Sequence, residues 1–375
     1  MRKGVIIAGY YGANNTGDEA ILSGMLQSLK KQGITEITVL SRNPEQTKQL
    51  HNVHSLYIGR RFDGLAAIYQ ALRRSQLFIL GGGGLLQDYS ARVVPYWLSR
   101  VVIALLARTP VMYYAQGIGP LRTAKATRLI KLISNRVKSI TVRDQASLQL
   151  LQEVGVNKPS VTITADPALA IEIVSDGKEL LKQAGAKLVP NVPKIGIALR
   201  SWQGEEQYLP HLIKALNRLQ QETASCLYFF PLQRGEDEQI NNQVRSLLVK
   251  SDSYIIEGEY PPEQIAAMLK EMDGVIAMRL HAVILGAISA TPAFGLVYDP
   301  KVQHFMERLQ MAEYSYPLED ISRTQDELSK QILIWSNQLT ELRKKLKEPV
   351  AEMFEQAKKN AEIANNLIKE GINNG

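Results

Sequence analysis

The sequence predicts an α/β protein built from two Rossmann-like domains, each a parallel sheet covered by helices, facing one another across a cleft. Three observations predict this. The chain has 375 residues, enough for two domains at the usual size of about 100–200 residues each. Short runs rich in Val and Ile alternate with longer amphipathic stretches, the pattern of strands covered on both faces by helices. The rhythm breaks over residues 173–193 and then restarts, so the chain divides there.

The first domain is expected over residues 1–175. Its strands fall near 4–9, 36–41, 53–58, 76–80, 110–115, 139–143 and 160–164. A helix runs from about Asp18 to Lys31, because Ile21, Leu22, Met25, Leu26 and Leu29 recur with the helical period. The break contains Gly177, Gly185, Pro190 and Pro193 and reads as a connection with a short helix in it. The second domain is expected over 190–345, with strands at 194–199, 226–230, 254–256, 274–277 and 293–298. Its helices lie near 206–222, 236–249, 261–271, 280–289 and 300–310, and Pro261 and Pro262 suit a first helical turn. A charged amphipathic helix over 349–372 has no strand after it and is expected to pack back on the first domain. The Asn and Gly residues that follow read as a frayed tail.

Composition narrows the function. Hydrophobic residues make up 45% and charged residues 22%, which excludes wholesale disorder. Cys226 is the single cysteine, so an intrachain disulfide and a Cys-rich zinc site are excluded, and a reducing compartment fits. No run approaches the roughly 18 apolar residues of a membrane span. The start, Met1 to Ile7, carries too short an apolar run for a secretory signal and reads as the first strand. The net charge of +7 is unevenly divided. Residues 1–175 hold 21 Lys and Arg against 10 Asp and Glu, a net of +11; residues 176–375 hold 23 against 27, a net of −4. A basic first half points to an anionic partner: nucleic acid, a lipid surface or a phosphorylated substrate.

In such folds ligands sit at the carboxyl ends of the strands. The first loop there is Gly9 to Ala20, including Asn14, Asn15, Thr16, Gly17, Asp18 and Glu19. It lacks both the dinucleotide fingerprint and the Gly-Lys-Ser/Thr ending of a Walker loop. Asp18 either caps the helix and complements its dipole or is a carboxylate able to take a proton from a sugar hydroxyl. The second loop is Gly81-Gly82-Gly83-Gly84, which either binds an anion at a helix N-terminus or packs closely against the first loop. Gln116-Gly117-Ile118-Gly119-Pro120 reads as another strand-end loop of this wall. Arg143 falls at a strand end and has Asp144 and Asp166 as possible ion-pair partners. In the second domain Arg200 ends the first strand, while Arg279 and His281 lie at the junction of a strand and a helix, where the dipole favours an anion. Two arginines and an imidazole at facing strand ends suit a small molecule bearing phosphate and carboxylate. Tyr298-Asp299-Pro300-Lys301 is a further loop lining the same cleft. His51, His54, His211 and His304 read as surface or packing residues. No grouping has metal-ligand spacing.

These motifs occur together and in order, and the chain resembles the polysaccharide pyruvyl transferases over about residues 4–310, most closely the bacterial CsaB type. The resemblance implies a two-domain fold like that of the GT-B glycosyltransferases. It implies phosphoenolpyruvate as donor, held mainly by the second domain, with no cofactor and no metal. Arg200, Arg279, Arg143 and Lys301 are then the candidates for donor binding, and His281 and Asp18 the candidate acid and base. Asn14, Asn15, Thr16, Gly17, Gly82, Gly83 and Gln116 become the acceptor-side loops. The implied acceptor is a lipid-linked saccharide, for CsaB-like enzymes β-N-acetylmannosamine of a secondary cell-wall polymer. It gains a 4,6-pyruvate ketal that anchors surface-layer proteins. The implied location is cytoplasmic, at the inner face of the cell membrane.

Two further expectations bear on partners. Helix-like Pro95–Arg108 holds Tyr96, Trp97, Leu98 and Val101 with Arg92, Arg100 and Arg108 around them, and reads either as a buried helix or as one lying on an anionic membrane surface. The alternative activity is a nucleotide-sugar-dependent glycosyltransferase, for which Glu257, Glu259 and Glu263 are candidate ribose ligands. Nucleic acid is not an expected partner, because the chain carries none of the recognised binding motifs. The sequence does not set the oligomeric state.

Overall fold

The structure, a computed structural model, describes residues 2–59, 64–320 and 326–373. The last two residues, part of the expected tail, lie outside the described residues. The chain groups into two compact units. The first holds residues up to Asn14, Asp18–Glu172 and the chain from Met353 onward; the second holds Asn15–Gly17 and Ile173–Glu352.

The first unit carries β1 (Val5–Ala8), β2 (Ile37–Ser41), β3 (His54–Tyr57), β4 (Leu77–Leu80), β5 (Gly83–Leu86), β6 (Val111–Ile118), β7 (Ser139–Val142) and β8 (Ser160–Ile163). Every pairing is parallel, in the order β3-β2-β1-β4-β6-β7-β8, with β5 beside the far end of β6. Alternate residues of each strand feed separate cores. Ile6, Ala8, Phe78, Leu80 and Tyr113 face one, with helices Leu65–Arg74, Val93–Leu106, Ala124–Ser134 and Gln145–Val154 over them. Val5, Ile7, Leu77, Ile79 and Met112 face the other, covered by helix Thr16–Lys31 and by Ala361, Ala364 and Ile368 of the last helix, Lys347–Asn373.

The second unit repeats the plan with β9 (Lys194–Ala198), β10 (Cys226–Phe229), β11 (Ser253–Ile255), β12 (Gly274–Ala277), β13 (Ala293–Val297) and β14 (Ser315–Pro317). These are again parallel, in the order β11-β10-β9-β12-β13-β14. In both units the strand order reverses beside the first strand of the unit. Loops leaving two adjacent strands then diverge, which opens the crevice where ligands bind in doubly wound sheets.

Five elements depart from the sequence expectations. β5 grows out of the four-glycine run, which composition marks as a turn. β6 continues through Gln116 to Ile118 after a register shift at Ala115, whose φ of 48° is left-handed, so Gln116 lies in a strand and not in a loop. β14 is a three-residue edge strand ending on Pro317, a position where a missing N–H costs no ladder bond. Helices Glu327–Ser336 and Leu339–Lys345 lie beyond the last expected strand.

Helix Val93–Leu106 resolves one open expectation. Val94, Trp97, Leu98, Val101 and Ala104 are buried in the first unit's core. Arg100 is buried too, donating to Gly59 O at 2.9 Å and lying 4.1 Å over the Tyr96 ring. The aromatic face proposed for a membrane surface is therefore packed inside the protein. Among the described residues no helix is long and apolar enough to cross a membrane.

Candidate functional site

In the first unit the switch point lies between β1 and β4. The loop after β1 is held by Glu19, a buried residue in the first turn of helix Thr16–Lys31. Its Oε1 accepts from Gly12 N at 2.8 Å and its Oε2 lies 2.7 Å from His51 Nε2. Sequence reasoning placed His51 among packing residues and overlooked that it braces this loop. Asn14 stands in the left-handed region at φ 57° and its Oδ1 accepts from Gln46 Nε2 at 2.7 Å.

The N-cap position belongs to Asn15 and not to Asp18. The helix begins at Thr16, and Asn15 Oδ1 accepts from Gly17 N at 2.9 Å. Asp18 is the third helical residue, half-buried, where its charge complements the positive helix end. A Cβ built on Gly83 would stand 3.4 Å from Asp18 Oδ1, and one on Gly81 would stand 2.1 Å from the Tyr11 hydroxyl. The glycines thus let β4 and β5 press against the first loop and helix. They open no helix, since the next one starts at Val93. Tyr11 is fully buried; that burial, with Asp18 and Glu19 next to it, pushes its hydroxyl pKa well up.

Gln116 is fully buried, and its Nε2 donates to the carbonyls of Leu80 and Gly81. It ties the end of β4 to β6. Arg143 donates to Asp166 Oδ2 at 2.9 Å and has Asp144 Oδ2 at 3.7 Å, with Gly117 flat against its guanidinium. Of the two readings open for Arg143, the ion pair is the one present. Asp166 in turn accepts from Ala168 N, and Asp144 caps helix Gln145–Val154 through Ser147 N.

In the second unit the switch point lies between β9 and β12, and the candidate residues stand on its two sides. Arg200 lies two residues past β9, and Arg279 and His281 follow β12. Met278 N donates to Ala198 O at 2.9 Å, which locks the two strand ends together. The two arginines differ sharply. Arg279 Nε donates to Asp237 Oδ2 at 2.9 Å, its Nη2 donates to Asp237 Oδ1, and its Nη1 reaches Gln233 Oε1 at 3.0 Å. Asp237 is fully buried and also accepts from Leu232 N and Gln233 N. Burial raises its carboxyl pKa, with Arg279 and the backbone amides pulling the other way. Much of the Arg279 fork is thus committed inside the unit.

Arg200 makes no ion pair among the described residues. Its Nη1 donates to the Tyr298 hydroxyl at 2.9 Å, and its guanidinium lies 5.0 Å from the centre of the Tyr298 ring. Trp202 packs against both Tyr298 and Tyr208 at ring separations near 6 Å, which fixes the strand end carrying Arg200. Lys301 is a half-buried cation, 3.8 Å from Asp299 Oδ2, while Asp299 caps its helix through Lys301 N.

His281 is the second residue of helix Leu280–Ile288. The short segment Asn15–Gly17 belongs to this unit: Thr16 N donates to Leu232 O at 2.8 Å and Asn15 bridges Gln233. A Cβ on Gly17 would fall 2.4 Å from His281 Nδ1. Only a glycine leaves room for the imidazole there. Asp237 and Gln233 are the site residues the sequence did not single out. They lie just past β10, and the rule that attention belongs on strand ends would have reached them.

The fold and these strand-end constellations define the class, a two-domain α/β protein of GT-B type. Comparison with solved structures agrees. The chain is similar to the S. aureus MnaA–UDP structure (12% identity, TM-score 0.66, 99% of this chain and 97% of that one). It is also similar to Anabaena HepE with UDP-glucose (14%, TM-score 0.63, 99% and 100%), and to a Listeria monocytogenes UDP-N-acetylglucosamine 2-epimerase described as putative in its source (10%, TM-score 0.67, 100% and 98%). At these identities the likeness is one of fold. Residues 15–300 match the polysaccharide pyruvyl transferase family, and the chain belongs to that family. A curated relative, the amylovoran biosynthesis protein AmsJ of Erwinia amylovora, is 20% identical, with 84% of this chain and 88% of AmsJ covered.

Proposed function

We propose that the protein moves the enolpyruvyl group of phosphoenolpyruvate onto a sugar and closes it as a 4,6-ketal, releasing phosphate. Family membership supports the reaction type. The observation that carries the donor is Arg200, a guanidinium held by an aromatic hydroxyl and, among the described residues, by no carboxylate, at the switch point of the second unit. A carboxylate and a phosphate both seek such a cation. Arg279 then shapes the floor of the donor site through Asp237, with Lys301 as an adjoining cation. Arg143, ion-paired in the first unit, has the smaller part in donor binding.

The chemistry needs proton delivery at C3 of the donor as C2 becomes electrophilic. One sugar hydroxyl attacks C2 and loses its proton, the C2–O bond to phosphate breaks, and a second hydroxyl closes the ring. His281 is assigned as the acid and Asp18 as the base toward the acceptor hydroxyl. A placed acid or base is worth roughly 10²–10⁴-fold. The acceptor of this reading is β-N-acetylmannosamine on a lipid-linked precursor of a secondary cell-wall polymer, whose ketal serves surface-layer anchoring, as in CsaB-type enzymes.

The test is incubation with phosphoenolpyruvate and a lipid-linked N-acetylmannosamine disaccharide, read by mass spectrometry. Phosphate release matched by a ketal on the sugar is expected, with at least a ~100-fold loss in His281→Ala and in Asp18→Ala. Transfer of a hexose from a nucleotide sugar, with phosphoenolpyruvate inert, overturns the reading.

A further inference from the structure

The basic charge of the first unit has a location. Between Gly64 and Val142 the sequence holds 11 Lys and Arg, and its single carboxylate is Asp88. Asp88 is buried and accepts from Thr123 N and Oγ1. Helices Leu65–Arg74, Val93–Leu106 and Ala124–Ser134 all come from this stretch, and none contains an acidic residue. The three share one face of the sheet with helix Gln145–Val154, which carries Glu153, and their own outer sides form one continuous surface.

That surface is both cationic and apolar. Arg92, Lys125, Arg128, Lys131 and Arg136 are exposed on it, and among the described residues none of the five makes an ion pair. Val102 and Leu106 emerge from the outer stripe of helix Val93–Leu106, and Leu132 from that of Ala124–Ser134, with Leu106 69% and Leu132 56% exposed. Tyr69 adds an exposed ring on the third helix. The other face of the sheet has no such bias, since helix Thr16–Lys31 and the last helix carry both signs of charge.

We propose that this three-helix face docks on an anionic lipid surface. Charge complementarity selects an anionic partner, since a surface of one sign with no internal ion pairs retains its full field. The leucines and the valine select lipid over nucleic acid. Three of these four exposed apolar side chains are aliphatic and give no stacking platform for bases, whereas at a membrane they enter the boundary between headgroups and acyl chains while basic residues meet the headgroups. The docking face is made of residues other than the buried aromatic side of helix Val93–Leu106. The inference stands apart from the transfer reaction, because it uses no residue of either switch point.

The experiment is co-sedimentation of the full chain with vesicles of phosphatidylglycerol or of phosphatidylcholine at low salt, with fluorescence anisotropy on duplex DNA and on RNA alongside. Binding to the anionic vesicles alone is expected, reversed by salt that shortens the Debye length to a few ångström. The combined change Lys125→Glu, Arg128→Glu and Lys131→Glu should lower the bound fraction at least tenfold. The pair Leu106→Ser and Leu132→Ser should lower it severalfold with the charge unaltered. Thermal melts of both variants should match the parent, since all five side chains are exposed. A parent protein that stays in the supernatant, equal binding to both lipids, unchanged binding of both variants, or tight nucleic-acid binding without vesicle binding each overturns the proposal.

Discussion

Arg279 grips Asp237 through both carboxylate oxygens, and Asp237 is fully buried while accepting two backbone N–H groups of its own loop. Removing one member of a buried pair leaves the other charged and unmatched, at a cost of about 3–5 kcal/mol. Asp237→Ala is therefore expected to lower the unfolding free energy of the second unit by that amount. Urea titration of the parent and the variant checks it, and a loss below about 1 kcal/mol would refute the pairing.

The same carboxyl gives a pH dependence with a definite sign. Burial raises its pKa in the folded chain above its unfolded value of about 3.9. The folded state then binds the proton more tightly, so the group's contribution to stability is fully present below the unfolded pKa. It is lost as pH rises through the folded pKa. Against Asp237→Asn, which does not titrate, the parent should lose relative stability as pH rises from about 3.9 through the raised pKa. Unfolding curves of the pair across this window provide the check; a rising difference would show that Arg279 outweighs burial.

Gly17 and His281 make a third prediction. A methyl group at Gly17 collides with the imidazole at 2.4 Å, so the ring must shift to admit it. Misplacing a catalytic group by about 1 Å costs on the order of 10²-fold. Gly17→Ala should therefore reduce turnover, measured as phosphate release from phosphoenolpyruvate, far more than it shifts the thermal midpoint. Full activity in the alanine variant would remove His281 from the chemistry.

Arg200 is expected to carry donor affinity. A hydrogen bond to a charged group is worth about 1.5–3 kcal/mol, or roughly 10–150-fold in affinity. Arg200→Ala should weaken phosphoenolpyruvate binding by that factor in calorimetry. Tyr298→Phe should weaken it less, because it loosens the guanidinium without removing it. Equal affinity in Arg200→Ala would shift the donor site elsewhere.

The strands and the helices between them were legible because their periods differ, and Ile21, Leu22 and Met25 could only line a helix. The placing of Arg200, Arg279 and His281 at strand ends followed from the sequence, while the reversal point beside them comes from the strand order of the folded sheet. What the sequence concealed was pairing at a distance. Nothing local tells Arg200 from Arg279, since the carboxylate that separates them is Asp237, 42 residues before Arg279. His51 read as a packing residue because Glu19 lies 32 residues away. Gly83 and Gly84 read as a loop because their strand character comes from pairing with β6.

Asn360 is a distant pairing of the same kind, and it supports a last prediction. It sits fully buried on the final helix. Its Oδ1 accepts from the hydroxyls of Thr141 and Thr164, and its Nδ2 donates to Ala165 O and Ala357 O. Thr141 and Thr164 each stand two residues before a member of the Arg143–Asp166 pair, so the amide sets the register in which that pair closes. Asn360→Leu keeps the volume but takes the amide donor from Ala165 O and leaves the hydroxyls of Thr141 and Thr164 only their longer bonds, at 3.3 Å to Tyr113 O and to Val142 O. Each buried group left unsatisfied costs about 1–3 kcal/mol. A loss of about 1–3 kcal/mol in urea unfolding is expected, while Asn360→Asp, which keeps the acceptor, should lose less. Stability equal to the parent in the leucine variant would mean that apolar packing alone holds the last helix in place.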